Sequence, residues 1–281
     1  MSALVSLLDH LANAPAVLVQ VVAVAGSVPR EVGAWMAVLP HGQLGTVGGG
    51  HLEWQAAERA RALLLSSAVP ATEQTVVLGP SLGQCCGGQV TLRYERVADA
   101  DRERIALTLR ARHTPVVLFG GGHVGRAIVA ALLPLPFDIQ WVDSRDEVFP
   151  ADLPPQVLAE HSDPVQRAVA DVRAGARVLI MSFSHAEDLD IVAACLLRQR
   201  EHGDLPFVGL IGSRTKWATF RHRLEARGFS AQELAHVTCP IGLPGIVGKA
   251  PEVIAASVAA QLLLGLSQQG GGVAHRPSDH G

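Results

Sequence analysis

Short, closely spaced apolar runs dominate the first third of the chain. They follow one another with little helix between them, which predicts a small α+β domain over residues 1–110. Helical spacing of apolar residues predicts one helix near the start of the chain and another from about His51. The strands are predicted in the segments AVLVQVVAVAG, GAWMAVLP, QLGTV, EQTVVLGP and GQVTLRYERV.

The pattern changes near residue 111, because strands then alternate with amphipathic helices. PVVLFGGGHVGRAIVAALLP indicates strand, glycine turn and helix. Four more predicted strands follow, three of them each followed by a predicted helix, before a final helix, PEVIAASVAAQLLLGL. Alternation of this kind predicts a Rossmann-like, doubly wound parallel sheet over residues 111–268. The polar, glycine-rich residues 269–281 are predicted to be a disordered tail. The expected fold class is therefore α/β, with the Rossmann-like domain preceded by the small α+β domain.

Composition narrows the classes of partner. Of the 281 residues, 48% are hydrophobic, and the formal net charge of −3 gives no overall basic field for nucleic acid. No apolar run approaches the ~20 residues that cross a bilayer, and no signal peptide is recognisable. Four scattered cysteines do not form a disulfide framework. A cytoplasmic protein that binds neither nucleic acid nor membrane is expected.

A glycine turn carries the first candidate chemistry. Gly120, Gly122 and Gly125 match G-x-G-x-x-G between a predicted strand and a predicted helix, and Asp143 ends the next strand, where an acid binds ribose in dinucleotide folds. The turn is expected to present backbone N–H groups to a phosphate. A turn kept only for packing is the alternative. His123, inside the turn, either contacts a ligand or caps the turn.

Six segments in order resemble the XdhC/CoxI family of xanthine dehydrogenase accessory proteins, over about residues 15–265. The segments are GSVPREVGAWMAV, GTVGGGHLEWQA, LGPSLGQCCGG, VVLFGGGHVGRAI, GLIGSRTKWATFRHRL and CPIGLPGIVGKAPEVIAASVAAQLL.

The resemblance implies a function in cofactor delivery. Members of this family bind the molybdenum cofactor, a pyranopterin dithiolene with a terminal phosphate. They protect the cofactor, present it for sulfuration by a cysteine desulfurase and promote its insertion into the cofactor-binding subunit of xanthine dehydrogenase. The protein is then a carrier rather than a catalyst. Self-association as a homodimer is a separate expectation, which comes from the apolar final helix and the high hydrophobic content. One departure is Trp35, where the family often has arginine, which would leave more of any anion binding to Arg30.

The adjacent Cys85 and Cys86 follow Gln84 in a glycine-rich turn. Neighbouring residues are ill-placed for a structural disulfide, and the pair is not a C-x₂-C zinc half-site. Thiolates are soft ligands, so contact with the molybdenum–sulfur end of the cofactor is one interpretation, and small apolar filling of a turn is the other. Cys195 is expected to be buried and inert, and Cys239 lies in a loop at the sheet edge.

Two other regions have the composition of anion sites. Gly49 and Gly50 precede the helix that starts near His51, and Glu53 in its first turn either offsets the helix dipole or hydrogen bonds to the pterin ring.

The remaining candidates lie in the second domain. Ser213 is predicted to cap a helix, with Arg214 and Lys216 at the mouth of the sheet. Lys249, just before a helix that Pro251 opens, is expected to pair with a phosphate.

Two other functions stay open at this point. An NAD(P)-dependent oxidoreductase would use the glycine turn and Asp143, although no proton donor for a substrate carbonyl is evident. A purely structural adaptor would leave the many glycine turns unexplained, because such turns cost backbone entropy.

Overall fold

The computed structural model describes residues 3–66, 71–79, 87–110 and 113–270, with side chains described through residue 267. The chain divides into two compact units, residues 1–111 and 112–281. Within the described ranges, no helix is both long enough and apolar enough to cross a bilayer.

The first unit is built on an antiparallel sheet of five strands in the order β3-β2-β1-β5-β4. Its helices are α1 (Ala3–Leu11), α2 (Gly50–Leu64) and α3 (Arg102–Arg110), and its strands are β1 (Ala16–Ala25), β2 (Trp35–Leu39), β3 (Gly42–Gly45), β4 (Thr72–Val77) and β5 (Gln89–Val97).

Helices cover both faces of this sheet. Alternate residues of β1 point in opposite directions, so Val17, Val19 and Val21 pack in the cluster that contains α2. Leu18 packs in a second cluster, with apolar residues of α1 and α3. The first half of β1 therefore reads as a nearly continuous apolar run, because both of its faces are buried.

The second unit is a parallel six-stranded sheet in the order β11-β10-β9-β6-β7-β8. This is the strand order of the Rossmann fold, which confirms the predicted fold class. Its strands are β6 (Thr114–Phe119), β7 (Phe137–Asp143), β8 (Val157–His161), β9 (Arg177–Ile180), β10 (Phe207–Leu210) and β11 (Val237–Thr238), and its helices are α4 (His123–Leu132), α5 (His185–His202), α6 (Arg214–Ala226), α7 (Ala231–Leu234) and α8 (Pro251–Gly270).

Two apolar clusters fill the faces of this sheet. Helices α4 and α8 pack on one face, around Trp141 and Phe137. Helices α5 and α6 pack on the other, around Phe119.

Three elements differ from the sequence prediction. The helix predicted in PVQRAVADVRAG is a 3₁₀ helix over Val165–Asp171, and α3 and the two-residue β11 were not predicted. Helix α8 extends to Gly270, into the start of the predicted tail, and residues 271–281 lie outside the described ranges.

Candidate functional site

The glycine turn, residues 120–125, joins β6 to α4, and its three motif glycines serve different purposes. Gly120 has φ +122°, and a methyl group added to it would collide with the carbonyl oxygen of Met181. A methyl group on Gly125 would collide with the carbonyl oxygen of Gly120. A methyl group on Gly122 would meet nothing within 4 Å. Packing therefore explains Gly120 and Gly125, whereas Gly122 faces open space at the start of α4.

Asp143 lies at the end of β7, as predicted, but its carboxylate is already engaged. Its Oδ2 accepts hydrogen bonds from the Gly121 amide at 2.6 Å and from Arg145 Nη2 at 2.9 Å. Its Oδ1 accepts from the amide and Nε of Arg145, both at 2.9 Å. Burial raises the pKa of Asp143, but the bonds from Arg145 and the Gly121 amide outweigh it and hold that pKa below its ordinary value.

The loop after β7 also packs on the glycine turn. A methyl group on Gly121 would lie 2.8 Å from both Cγ atoms of Val148. Arg126 Nη2 donates to the Val148 carbonyl at 2.7 Å, which holds this loop against α4. A ribose hydroxyl could reach Asp143 only by displacing Arg145. The arrangement thus favours a closed structural turn over a dinucleotide site.

Arg145 was not singled out from the sequence, although it follows Asp143 by two residues. Its guanidinium lies 4.7 Å from the ring centroid of Phe183, and that phenylalanine is 67% exposed. The two side chains form an exposed cation–aromatic pair at the carboxyl edge of the sheet. His123, the first residue of α4, is exposed, so both interpretations of its role remain open.

The two cations at the start of α6 differ in their partners, because Lys216 forms an ion pair and Arg214 stays exposed. Ser213 caps the helix, because its hydroxyl accepts from the Lys216 amide at 3.1 Å, as predicted. Lys216 lies at the carboxyl ends of β9 and β10, but its charge is already paired. Its Nζ is 2.6 Å from Oδ2 of the buried Asp188 and donates to the Ile211 carbonyl at 2.9 Å. Arg214 stays exposed at the helix start.

Arg214 and Lys249 line one pocket beside the carboxyl ends of β10 and β11. The loop that follows β11 forms a wall of this pocket, and α8 holds that loop in place. Ser257 Oγ accepts from the Leu243 amide, and Gln261 Oε1 accepts from the Gly242 amide, both at 2.7 Å.

The two described cysteines are poor nucleophiles. Cys195 is completely buried, and that burial raises the pKa of its thiol to about 12. Cys239 is half-buried at the sheet edge, and burial raises its pKa to about 11 although Lys216 acts in the opposite direction. Both thiols are therefore protonated at neutral pH.

In the first unit, three glycine-containing segments meet. A methyl group on Gly48 would lie 2.5 Å from Cγ of Pro29. Gly88, which follows the cysteine pair, packs so tightly on the chain at Ala25 and Ser27 that an added methyl group would collide with both carbonyl oxygens. The Leu78 amide donates to the Gly88 carbonyl at 2.8 Å, which closes the base of the β4–β5 hairpin.

Cys85, Cys86 and Gln84 lie outside the described residues, so their assignment to the site stays a prediction. Arg30, on the loop that carries Pro29, donates from Nη1 to the Thr46 carbonyl at 3.5 Å and pairs with Glu31. The side chain of Trp35 packs in the cluster formed with α1 and α3.

The triple-glycine segment, residues 48–50, leads into α2. The carboxylate of Glu53 accepts hydrogen bonds from this segment and from residues just before it. Its Oε2 accepts from the Val47 amide at 3.0 Å, the Gly49 amide at 3.1 Å and the Thr46 hydroxyl. Its Oε1 accepts from Gln43 at 2.8 Å. Burial raises the pKa of Glu53, but these hydrogen bonds outweigh burial and lower it below 4.5. Stabilisation of the helix start is thus the interpretation that the geometry favours for Glu53.

Replacement of Glu53 by glutamine is expected to lower the free energy of unfolding by about 1–2 kcal/mol at pH 7, because hydrogen bonds to a charged group are lost. Because the pKa of Glu53 is lower in the folded than in the unfolded state, its carboxylate stabilises the fold at pH values above the unfolded-state pKa. This contribution is lost as the pH falls through the folded-state pKa. The difference between wild type and Glu53→Gln should therefore shrink below about pH 4.5. Urea unfolding at pH 7 and at lower pH measures it, with the exposed Glu58→Gln as control. A pH-independent difference would contradict this assignment.

His51 and Trp54 form an exposed aromatic pair on the first turns of α2. Their ring centroids are 5.4 Å apart, and Gln55 Nε2 is 3.0 Å from His51 Nε2. Gly49, with φ +71°, would place a methyl group in open space. Gly50 is the first residue of the helix.

The described residues contain no group of three or more histidine, cysteine or acidic side chains arranged to hold a metal ion. What they contain is a Rossmann-type unit with an open, cation-lined pocket and an antiparallel unit with converging glycine segments. This defines a two-unit α/β protein with sites suited to anionic ligands. The chain belongs to the XdhC and CoxI family, because the model of the XdhC Rossmann domain matches residues 116–262 and the XdhC and CoxI model matches residues 10–74.

Two known proteins are similar to this chain over most of its length. It is 29% identical over 273 residues to the uncharacterised protein YqeB of Escherichia coli K12, which covers 95% of this chain and 46% of YqeB. The chain thus spans less than half the length of that relative. A solved structure described as a xanthine dehydrogenase from Bacillus halodurans matches with a TM-score of 0.71 at 19% identity, over 99% of this chain and 98% of that one. At that identity the likeness shows the shared fold.

Proposed function

We propose that this protein is an accessory factor that binds the molybdenum cofactor and supports the maturation of xanthine dehydrogenase. The observation that carries the proposal is the meeting of three glycine-containing segments in the first unit. Gly88 packs on Ser27 and Gly48 packs on Pro29, so the flank of the cysteine pair lies against the loop that carries Arg30. In a member of the XdhC and CoxI family, such a cluster is suited to a ligand with a soft metal centre.

The residues available fit such a cofactor. Cys85 and Cys86 would supply thiol sulfur to the molybdenum end, Arg30 would supply positive charge, and the open Gly49 would allow close approach of the backbone. The cofactor itself would supply the redox chemistry, and this chain would hold and shield it.

Partners follow from the same proposal. The cofactor-binding subunit of xanthine dehydrogenase would receive the cofactor, and a cysteine desulfurase would sulfurate it while it is bound here. Oxidoreductase activity is less well supported, because Asp143 is paired with Arg145 rather than free for a ribose. The protein would therefore act as a carrier without turnover of its own.

Replacement of Cys85 and Cys86 by alanine is expected to lower the cofactor content of purified protein by about tenfold or more. Loss of groups around a metal commonly costs about 10–100-fold in affinity. The protein is produced in a host that makes the cofactor and is purified without oxygen. The pterin is then oxidised to its fluorescent product and quantified per mole of protein.

Cys195→Ala is the matched control, because this thiol is completely buried in the second unit and should leave cofactor content unchanged. Absence of pterin from wild-type protein would reject the proposed function. Equal pterin in wild type and the double variant would remove the cysteine pair from the site.

A further inference from the structure

The second unit has an open pocket of about 490 Å³ that the Rossmann glycine turn does not line. It lies where β10 and β11 end, between the start of α6 and the start of α8. Its lining comes from residues 211–214, 240–249 and 253–257. It is therefore placed at the carboxyl edge of the sheet, where parallel α/β folds bind ligands, but on the β10–β11 side.

The charged side chains that line this pocket are all positive. Arg214 and Lys249 are the charged side chains of its lining, which includes no acidic residue among those the structure describes. Over the described ranges, neither cation forms an ion pair. The chain has only one other lysine, Lys216, and that one is paired with Asp188. Two cations without acidic partners are thus left facing one pocket, an arrangement suited to a phosphate.

Two helix starts reinforce this charge. Helix α6 begins at Arg214, and α8, which is 20 residues long, begins at Pro251. The positive ends of both helix dipoles therefore lie beside the pocket. An anion here would be favoured by the helix backbones as well as by the two side chains.

The remaining lining is mostly apolar. Ile211 and Ile241 come from the strand ends, and Val253 and Ile254 come from the first turns of α8. A pocket that combines two cations with apolar lining residues suits a ligand with an anionic end and a flat, weakly polar body. Inorganic phosphate alone would leave the apolar wall unused.

The pocket wall is held before any ligand arrives. Gly242 has φ +101°, and a methyl group on it would lie 2.6 Å from Ser257 Oγ. The hydrogen bonds from Ser257 and Gln261 fix the same loop on α8. Because the loop is already ordered, binding costs less conformational entropy.

We infer that this pocket binds the phosphate end of a heterocyclic phosphate monoester, with Arg214 and Lys249 on the phosphate and the apolar wall against the ring system. The inference rests on the proposed function for the nature of the ring, a pterin. It places the ligand on the β10–β11 side of the Rossmann sheet, away from the glycine turn that Val148 and Arg145 already cover.

The test uses full-length protein and two fluorescent probes, 6-hydroxymethylpterin monophosphate and unphosphorylated 6-hydroxymethylpterin. Wild type should bind the monophosphate at least about tenfold more tightly, since one charge-assisted contact is worth roughly that factor. The variant Arg214→Gln/Lys249→Met should lose this preference, with little change for the unphosphorylated pterin. Arg223→Gln, on the exposed face of α6, is the matched control and should bind as wild type does.

Equal binding of the two probes by wild type, no binding of the monophosphate, or an unaltered preference in the double variant would each overturn the inference. The outcome is separable from that of the proposed function. Wild-type protein that carries cofactor but shows no role for Arg214 and Lys249 would reject the pocket alone. Protein that never carries cofactor but binds the monophosphate through these two residues would reject the proposed function and leave the pocket assignment standing.

Discussion

Replacement of Gly120 by alanine is expected to destabilise the second unit by at least about 3 kcal/mol. A residue with a side chain is strained at φ +122°, and the added methyl group would collide with the carbonyl oxygen of Met181, the residue that follows β9. Two hydrogen bonds oppose a shift of the Gly120 backbone. Its amide donates to the Val142 carbonyl at 2.8 Å, and its carbonyl accepts from the indole of Trp141 at 2.9 Å.

The measurement is urea unfolding followed by tryptophan fluorescence, to which the buried Trp141 contributes. Gly122→Ala is the matched control, because an added methyl group there meets nothing within 4 Å and the residue has φ −72°. It should cost less than about 1 kcal/mol, the usual range for a change at a helix N-cap. Similar stabilities for the two variants would contradict the separate roles assigned to these glycines.

The fold could be predicted because its main elements are periodic. Strands β1 and β6 are buried runs of apolar residues, and α8 is long and apolar, so each is recognisable from the local pattern. Helix α3 was missed because its turn of polar residues, RER, precedes only a few apolar positions. The short β11 has two residues, too few for any alternation to be visible.

The candidate site was predicted less completely, since it depends on pairs that are distant in sequence. Asp143 was correctly placed at a strand end, but Arg145 decides whether its carboxylate is available, and Arg145 itself lies over Phe183 from another loop. Lys216 was expected near Arg214 because both start the same helix. Its direction is set by Asp188, 28 positions away in the chain.

Local spacing was sufficient where the partners are neighbours. Ser213 caps α6, because its hydroxyl accepts a hydrogen bond from the Lys216 amide three residues later. A serine at this position before a helix is recognisable from the sequence. For Glu53 the sequence left two roles open, and its bond from the Gly49 amide, four residues earlier, favours the one at the helix start. Contacts within one helix turn are thus readable from sequence, whereas contacts between strand-end loops require the fold.

Removal of Lys216 is the second change for which a large effect is expected. Asp188 has a side chain that is only 3% exposed, and Lys216 Nζ lies 2.6 Å from it with 12% exposed. Lys216→Met keeps the length of the side chain but leaves the Asp188 carboxylate buried, with Ser182 as its hydrogen-bond donor within the described part of the chain. Breaking a buried ion pair on one side costs about 3–5 kcal/mol, because an uncompensated charge remains.

The matched control is an exposed ion pair whose acidic residue lies on α5, as Asp188 does. Asp190, two residues after Asp188, pairs with Arg227 at 2.8 Å, but both of those side chains are more than 40% exposed. Arg227→Met should therefore cost less than about 1 kcal/mol. Urea unfolding of both variants gives the comparison, and Lys216→Met together with Asp188→Asn should recover part of the loss because the buried charge is removed. If Lys216→Met proves no worse than Arg227→Met, the ion pair is not structural, and Lys216 returns as a cation available at the mouth of the sheet.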